Sequence, residues 1–309
     1  MTSEQTTIKK KIIFEGIGLH SGIVTKLVLL PAETDSGINF LRSDLAKSKP
    51  ISALWNNIKA ANLCTKITNK NGDTVSTIEH LMFALYSLGI TNLFIEINGP
   101  EVPILDGSAK VFIDEILATG LLKQNKKIKI LNVLKSFEIQ TNNKFIKYEP
   151  HNKAGLEIDY TINYQDQFIK KQSYHLKNVQ NNYLEVFDSR TFCHQEDLEK
   201  IFAMGLAKGG SLENAIVISG NKILNQEGLR HQNEFVRHKI LDCIGDLYLS
   251  GFFINGKIIC RQGGHELTAS LLNKIFENKK NYFIEDIESK THNVSVKKIS
   301  NKFSAATVV

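Results

Sequence analysis

Three acid–base side chains fall on one face of the run Asn233-Glu234-Phe235-Val236-Arg237-His238-Lys239-Ile240-Leu241-Asp242-Cys243-Ile244-Gly245-Asp246-Leu247. His238, Asp242 and Asp246 stand at i, i+4 and i+8, so in a helix they stack along one side. An imidazole and a carboxylate one turn apart can grip one metal ion from a single rigid element. Val236, Ile240, Ile244 and Leu247 form a separate apolar stripe. On spacing alone, a solvated helix face carrying a His–Asp pair is the simpler reading. A second group is Ser76-Thr77-Ile78-Glu79-His80-Leu81. Adjacent Glu and His at a helix start could place an imidazole on a metal and a carboxylate beside its water. Taken alone, Ser76-x-x-Glu79 reads more simply as a capping box that closes the helix start. A third group is Arg261-Gln262-Gly263-Gly264-His265-Glu266, where a His after paired glycines in a loop is free to point into a cleft.

Other motifs fail on inspection. The His-Glu-x-x-His signature of a metalloprotease would need His where Ala269 stands. Gly16-x-Gly18-x-x-x-Gly22 misses the dinucleotide-binding spacing by one residue, and Gly205-x-x-x-Gly209-Gly210-Ser211 lacks the Gly-Lys-Ser/Thr ending of a phosphate loop.

These groups need elements to hold them. Lys11 to Phe14 and Val24 to Leu30 read as strands on either side of a glycine-rich turn, and the spacing of Ile78, Leu81, Met82, Leu85 and Leu88 predicts a helix from about Ser76 to Leu88, stopped by Gly89. A buried strand follows at Asn92 to Ile97, a turn at Pro103 to Gly107, and a second helix at Ala109 to Thr119. The polar, basic stretch Lys123 to Lys127 marks the expected domain boundary. Beyond it come strands at Ile128 to Gln140, Lys144 to Glu149 and Gly155 to Tyr164, then a helix near Gln195 to Met204 and the strand Ala215 to Ser219. The long helix Asn233 to Leu249, the strand Phe252 to Cys260 and the helix Leu267 to Glu277 complete the second half. Strands followed by helices in each half suggest an α+β chain of two domains.

Composition narrows the class. The 309 residues are 42% hydrophobic and 23% charged, an ordinary globular balance, and the length suits two domains that each bury a core. The start is polar and no apolar run approaches the ~20 residues needed to span a bilayer, so the chain is expected to be soluble and cytoplasmic. Cys64, Cys193, Cys243 and Cys260 show no Cys-x-x-Cys spacing and read as buried reduced thiols. The formal net charge of +6 could suit nucleic acid, a phosphorylated substrate or an anionic membrane surface, but the lysines are scattered. A nucleic-acid-binding protein should cluster its Lys and Arg beside exposed aromatics, and this sequence does not.

Taken together, the motifs resemble one family, the UDP-3-O-acyl-N-acetylglucosamine deacetylases of lipid A synthesis in Gram-negative bacteria. The stretches that carry the resemblance are Gly16 to Gly22, Ser76 to Leu81, Pro103-Ile104-Leu105-Asp106-Gly107-Ser108-Ala109, Ser189-Arg190-Thr191-Phe192, Gly209-Gly210-Ser211, Phe235 to Asp246 and Gly263-Gly264-His265. They run in the family's order and span nearly the whole chain. It is the resemblance, and not the spacing, that displaces the bland readings above.

The resemblance implies a zinc ion held by His80, His238 and Asp242, a set that leaves a fourth position for water, as catalytic zinc sites do. It implies Glu79 as the base that takes a proton from that water. It implies His265 as a charged imidazole that stabilises the oxyanion and protonates the leaving amine, with Asp246 to orient and charge it. Thr191 would help hold the oxyanion, Lys239 would reach toward substrate, and Phe192 would pack on the sugar. The implied fold is two similar two-layer α+β domains, residues 1–124 and 128–309, with the active site between them and a small insert in each. The second insert, about 193–223, would supply an apolar passage for the fatty acyl chain. Leu198, Ala207, Leu212 and Ala215 are expected to line it, among the apolar residues Ile201, Phe202, Met204 and Leu206.

Where some relatives carry a basic residue three positions before the catalytic His, this chain has Gln262, with Arg261 one position earlier as a replacement. The chain is expected to lack the dehydratase domain fused to some relatives, to act as a monomer on a UDP-linked acylated amino sugar, and to touch a membrane surface at most transiently. No nucleic acid is expected as a partner. The rival enzyme reading is a zinc hydrolase of another N-acylated sugar or amide.

Overall fold

The strand Val24–Pro31 turns Thr25, Leu27 and Leu29 inward and leaves Val24 and Lys26 in solvent, the period-two alternation of a half-buried strand. It sits in a five-stranded sheet of order Ile12–Ile17, Val24–Pro31, Leu93–Ile97, Ile38–Arg42, Ile51–Ser52. The computed structural model describes residues 3–151, 153–165 and 168–287; the stretch 288–309, assigned above to the second domain, lies outside the described residues.

Helix α1 (Glu79–Leu88) is buried from Glu79 through Ser87 and ends where Gly89 turns left-handed at φ 74°. Helix α2 (Lys110–Thr119) buries Phe112, Ile113 and Ile116 and stops at Gly120. The polar stretch taken as a boundary is the end of a strand, Leu121–Lys127, which pairs antiparallel with Glu4–Ile8. It is polar because it is largely exposed.

From Lys129 the chain enters a seven-stranded sheet, and the single strand read over Ile128 to Gln140 is two, Lys129–Val133 and Phe137–Thr141. At the centre of this sheet lies Phe253–Arg261. It pairs parallel with Lys129–Val133 and Leu156–Asn163, and antiparallel with Lys144–Glu149. The sheets on either side of Ile128 share no strand among the described residues. Each half also carries a three-stranded sheet: Ile58–Lys59, Lys66–Thr68 and Thr74–Ser76 in the first, and Phe192–His194, Ile216–Ser219 and Lys222–Ile223 in the second. The architecture is α+β.

Four further helices belong to the second half. α3 (Val179–Asn182) and α4 (Leu198–Ala203) are short, whereas α5 (Glu234–Leu247) and α6 (His265–Phe276) build its core. α5 packs on both α1 and α6. Its contact with α1 is so close that a Cβ at Gly245 would stand 2.0 Å from the Glu79 carbonyl oxygen. Only a residue without a side chain fits there. The segment around Gly209 and Asn214 is seated in the same way: a Cβ at Gly209 would meet the Gly18 carbonyl at 2.3 Å, and one at Gly107 the Asn214 carbonyl at 2.1 Å.

The sequence spacing placed a solvated face on α5. The structure corrects this: His238, Asp242 and Asp246 are 2%, 5% and 3% exposed, because α1 and α6 cover the polar stripe that the sequence left open. Among the described residues no helix is long and apolar enough to cross a membrane. All four cysteines are free thiols.

Candidate metal centre and acid–base pair

The capping reading of Ser76 and Glu79 does not survive. Ser76 is a strand residue whose hydroxyl donates to the Pro100 carbonyl, and α1 begins only at Glu79. Glu79 instead turns inward, and its Oε2 accepts from the Thr65 amide at 3.1 Å. Neither is His265 in a loop: it opens α6, with Gly264 as the extended residue before it. The central strand Phe253–Arg261 thus delivers His265 to the same place that α5 and α1 reach.

His80, His238 and Asp242 each bring one ligand atom into a cluster no wider than 4.8 Å, and all three residues are buried. Nε2 of each imidazole lies 3.4 Å from Asp242 Oδ1, and the two rings are 5.1 Å apart and nearly perpendicular. Asp242 Oδ1 is buried with no hydrogen-bond partner among the described residues. A buried carboxylate oxygen without a partner is costly. Two ligands held ~2.1 Å from a common point at the tetrahedral angle stand ~3.4 Å apart, so this donor set fits a divalent cation. Ser189 O, 3.1 Å from His238 Nδ1, takes the proton there and leaves Nε2 free to ligate. Burial pushes His238 down to about 3 and so keeps it neutral, as a ligand must be.

That carbonyl is itself fixed. Arg190, buried, grips Glu234 through its amide, its Nε at 2.9 Å and its Nη2 at 3.2 Å. It also reaches Glu227 and the Gly228 carbonyl at 2.6 Å each. Lys239 Nζ donates to Asp242 Oδ2 at 2.7 Å. Burial opposes the charge on Lys239, but the Asp242 carboxylate outweighs it and holds the ammonium protonated.

Beside this cluster stands a second pair. His265 Nδ1 is 2.8 Å from Asp246 Oδ2, and its Nε2 is 3.8 Å from Glu79 Oε1. Burial works against an imidazolium at His265, yet Asp246, by charge and by hydrogen bond, and then Glu79 lift it to about 9. Burial also raises the Glu79 carboxyl to about 7, against the pull of His265 and His80. One group that releases a proton near neutrality and one that keeps it therefore face each other across less than 4 Å.

Phe192 lies with its ring 6.2 Å from that of His238. Thr191 is pinned through its backbone, its amide to Gly107 O and its carbonyl to Ile216 N, both at 2.8 Å. In the insert, Leu212 is exposed and Leu198 partly so, as are Phe202 and Met204 near them. Ala207 is half-buried with a left-handed backbone, and Ala215 is buried in the insert's own packing, its carbonyl accepting from Asn225. Gln262 spends its side-chain amide on the Asn163 carbonyl at 2.7 Å, while Arg261 lies over the Phe145 ring.

The sequence reading gave no role to Thr65, Glu101 or His20. The Glu101 carboxylate accepts from the amides of His20 and Ser21 and from the Thr77 hydroxyl, and so ties the glycine-rich turn to the residue that precedes α1 by two. His20 is buried, and neither ring nitrogen has a partner among the described residues. Only its place in the Gly16 to Gly22 motif hinted at it.

Comparison with known proteins decides the family. The family model described as UDP-3-O-acyl N-acetylglycosamine deacetylase matches residues 5–277. The chain belongs to that deacetylase family. A UDP-3-O-acyl-N-acetylglucosamine deacetylase of Haemophilus ducreyi (strain 35000HP / ATCC 700724) is 40% identical over 279 residues, 89% of this chain and 91% of its own length. Proteins of the same name from Actinobacillus pleuropneumoniae serotype 3 (strain JL03) and Syntrophus aciditrophicus (strain SB) are 38% and 39% identical. They cover 93% and 90% of this chain and 94% and 88% of their own lengths. The family match takes in α1, α5 and α6, and with them every residue of the metal cluster and the acid–base pair.

Proposed function

We propose that this deacetylase-family protein is a zinc-dependent enzyme that hydrolyses the N-acetyl group of UDP-3-O-acyl-N-acetylglucosamine. The products are UDP-3-O-acyl-glucosamine and acetate, and the step commits the sugar to lipid A. The observation that carries the reading is the unpartnered Asp242 Oδ1 with two imidazole nitrogens 3.4 Å away, set beside a base and a charged acid. A zinc ion bound there supplies a Lewis acid that polarises the amide carbonyl and lowers the pKa of water to ~7.

The chain's own groups do the rest. Glu79 takes a proton from the attacking water as its oxygen bonds to the acetyl carbon. His265, charged, steadies the developing oxyanion with Thr191 and gives its proton to the amine as the C–N bond breaks. Asp246 keeps His265 oriented and protonated. Lys239 reaches toward substrate, and Phe192 packs on the sugar. Residues 1–124 and 128–309 act as two domains with the site between them, and the insert of about 193–223 receives the acyl chain. The exposed apolar side chains of Leu212, Phe202 and Met204 support that last assignment. The protein works as a cytoplasmic monomer.

A deacetylation assay on the UDP-linked substrate, with and without a chelator and with zinc restored, tests the reading. Activity that ignores the chelator would refute zinc dependence. Equal turnover of an N-acetyl sugar lacking both UDP and the 3-O-acyl group would favour a hydrolase of other N-acylated sugars.

A further inference from the structure

Thr65 touches both halves of the acid–base machinery. It is 4% exposed and stands just before the strand Lys66–Thr68. Its amide donates to Glu79 Oε2 at 3.1 Å. Its hydroxyl lies 2.5 Å from Asp246 Oδ1 and 3.0 Å from His265 Nδ1. It also forms part of the wall, with Asp246 and His265, of a cavity of about 680 Å3 that opens on this side of the pair.

The hydrogen bonds can be assigned. An ionised carboxylate only accepts, and a hydroxyl has one proton and two lone pairs. The Thr65 proton therefore goes to Asp246 Oδ1, and a lone pair is left facing His265 Nδ1. That nitrogen must carry hydrogen, shared between Asp246 Oδ2 at 2.8 Å and Thr65 Oγ1 at 3.0 Å. The same residue occupies Glu79 Oε2 and so leaves Oε1 as the oxygen that faces His265 Nε2.

We infer that Thr65 is a positioning residue for the proposed deacetylation: through one amide and one hydroxyl it sets the separation and the relative orientation of the Glu79–His265 couple. The spacing between base and acid is then fixed by the bond geometry of a single residue. Its β-branched side chain has few rotamers in which to misplace the hydroxyl. Remove that hydroxyl, and Asp246 Oδ1 loses a donor in a buried place while the imidazole loses one of its two restraints.

The inference rests on the proposed activity for its kinetic readout but not for its spectroscopic one. Thr65→Val keeps the shape and the amide and deletes only the hydroxyl. A hydrogen bond to a charged group is worth enough for kcat to fall on the order of 10- to 100-fold, with KM and zinc content unchanged. Thr65→Ser should recover most of that loss. In the zinc-loaded protein without substrate, the hydrogen-bonded Nδ1 proton of His265, assigned by its absence in His265→Gln, should give a low-field proton resonance. It should shift in Thr65→Val and stay in Thr65→Ser.

A wild-type kcat together with an unmoved resonance in Thr65→Val would overturn the inference. So would a loss shared equally by Thr65→Ser, or a fall in melting temperature and zinc content with the resonance in place, since those mark a merely structural role. Should the wild-type protein fail to deacetylate the substrate, the proposed function falls and the resonance alone decides the role of Thr65.

Discussion

Gly245→Ala adds a single methyl group and removes no functional side chain, yet it should cripple the enzyme. The added Cβ would stand 2.0 Å from the Glu79 carbonyl oxygen and 2.8 Å from its carbon, both backbone atoms that cannot rotate away. Ordinary contact begins at 3.4 Å, so α1 and α5 must separate by about 1.4 Å, the difference of the two distances. Overpacking of this kind costs ~1–3 kcal/mol of stability, which the protein should survive. The chemistry should not. α1 carries Glu79 and His80, and α5 carries His238, Asp242 and Asp246. A shift of ~1 Å between reacting groups can cost ~100-fold. Three measurements on purified Gly245→Ala check the reasoning: kcat/KM, zinc affinity by competition with a chelator, and the melting temperature. The expected pattern is a modest fall in melting temperature with a large fall in both other quantities. Wild-type activity and zinc affinity would refute the argument that this contact sets the geometry of the site.

Glu79→Ala and His265→Ala should each lose ~100-fold or more in kcat while still binding zinc, measured by steady-state kinetics and metal analysis. The rate should be bell-shaped in pH: Glu79 must be deprotonated, so the rate rises through about 7, and His265 must be protonated, so it falls through about 9. A bound cation beside Glu79 moves the lower limb further down. A falling limb that persists in His265→Ala would remove that residue from the acid role. Arg190→Met leaves Glu234 buried without its cation and should cost ~3–5 kcal/mol in chemical denaturation. It should weaken zinc binding too, since the segment carrying the Ser189 carbonyl keeps only the Arg190 amide bond to Glu234 and loses the guanidinium contacts. Leu212→Glu and Met204→Glu place charge on exposed apolar positions of the insert. Each should weaken long-chain substrate more than short-chain substrate without altering zinc content; an equal effect on both chain lengths would move the acyl group elsewhere.

What the sequence could show of this site depended on whether the signal was local. The helical register of His238, Asp242 and Asp246 is a property of α5 alone, and it was legible. Their burial was not, because it depends on α1 and α6 arriving from elsewhere in the chain. Ser76-x-x-Glu79 was misleading for the converse reason. The pattern is local, but Ser76 is claimed by the strand Thr74–Ser76, which pairs with Lys66–Thr68. The paired glycines before His265 suggested a loop, whereas Gly264 is only the entry to α6. Alternation and three-four spacing marked most strands and helices, since those periods are written into each element. Thr65 left no trace: a lone threonine in an irregular stretch has nothing to distinguish it until Glu79, Asp246 and His265 surround it. Gly245, inside a helix, reads as a mild defect until the α1 backbone is laid against it.

The contact between α1 and α5 also has a consequence in time. His80 and His238 are separated by 158 positions (238 − 80). At synthesis rates of ~5–20 residues per second, roughly 8–30 s pass between them on the ribosome. Throughout that interval α1 has no α5 to cover it, and His80 has neither of its partner ligands. A nascent first half holds only one residue, His80, of the candidate set His80, His238 and Asp242. The full donor set exists only after α5 has emerged, so under the proposed zinc chemistry metal loading would report that the second half has been made and docked.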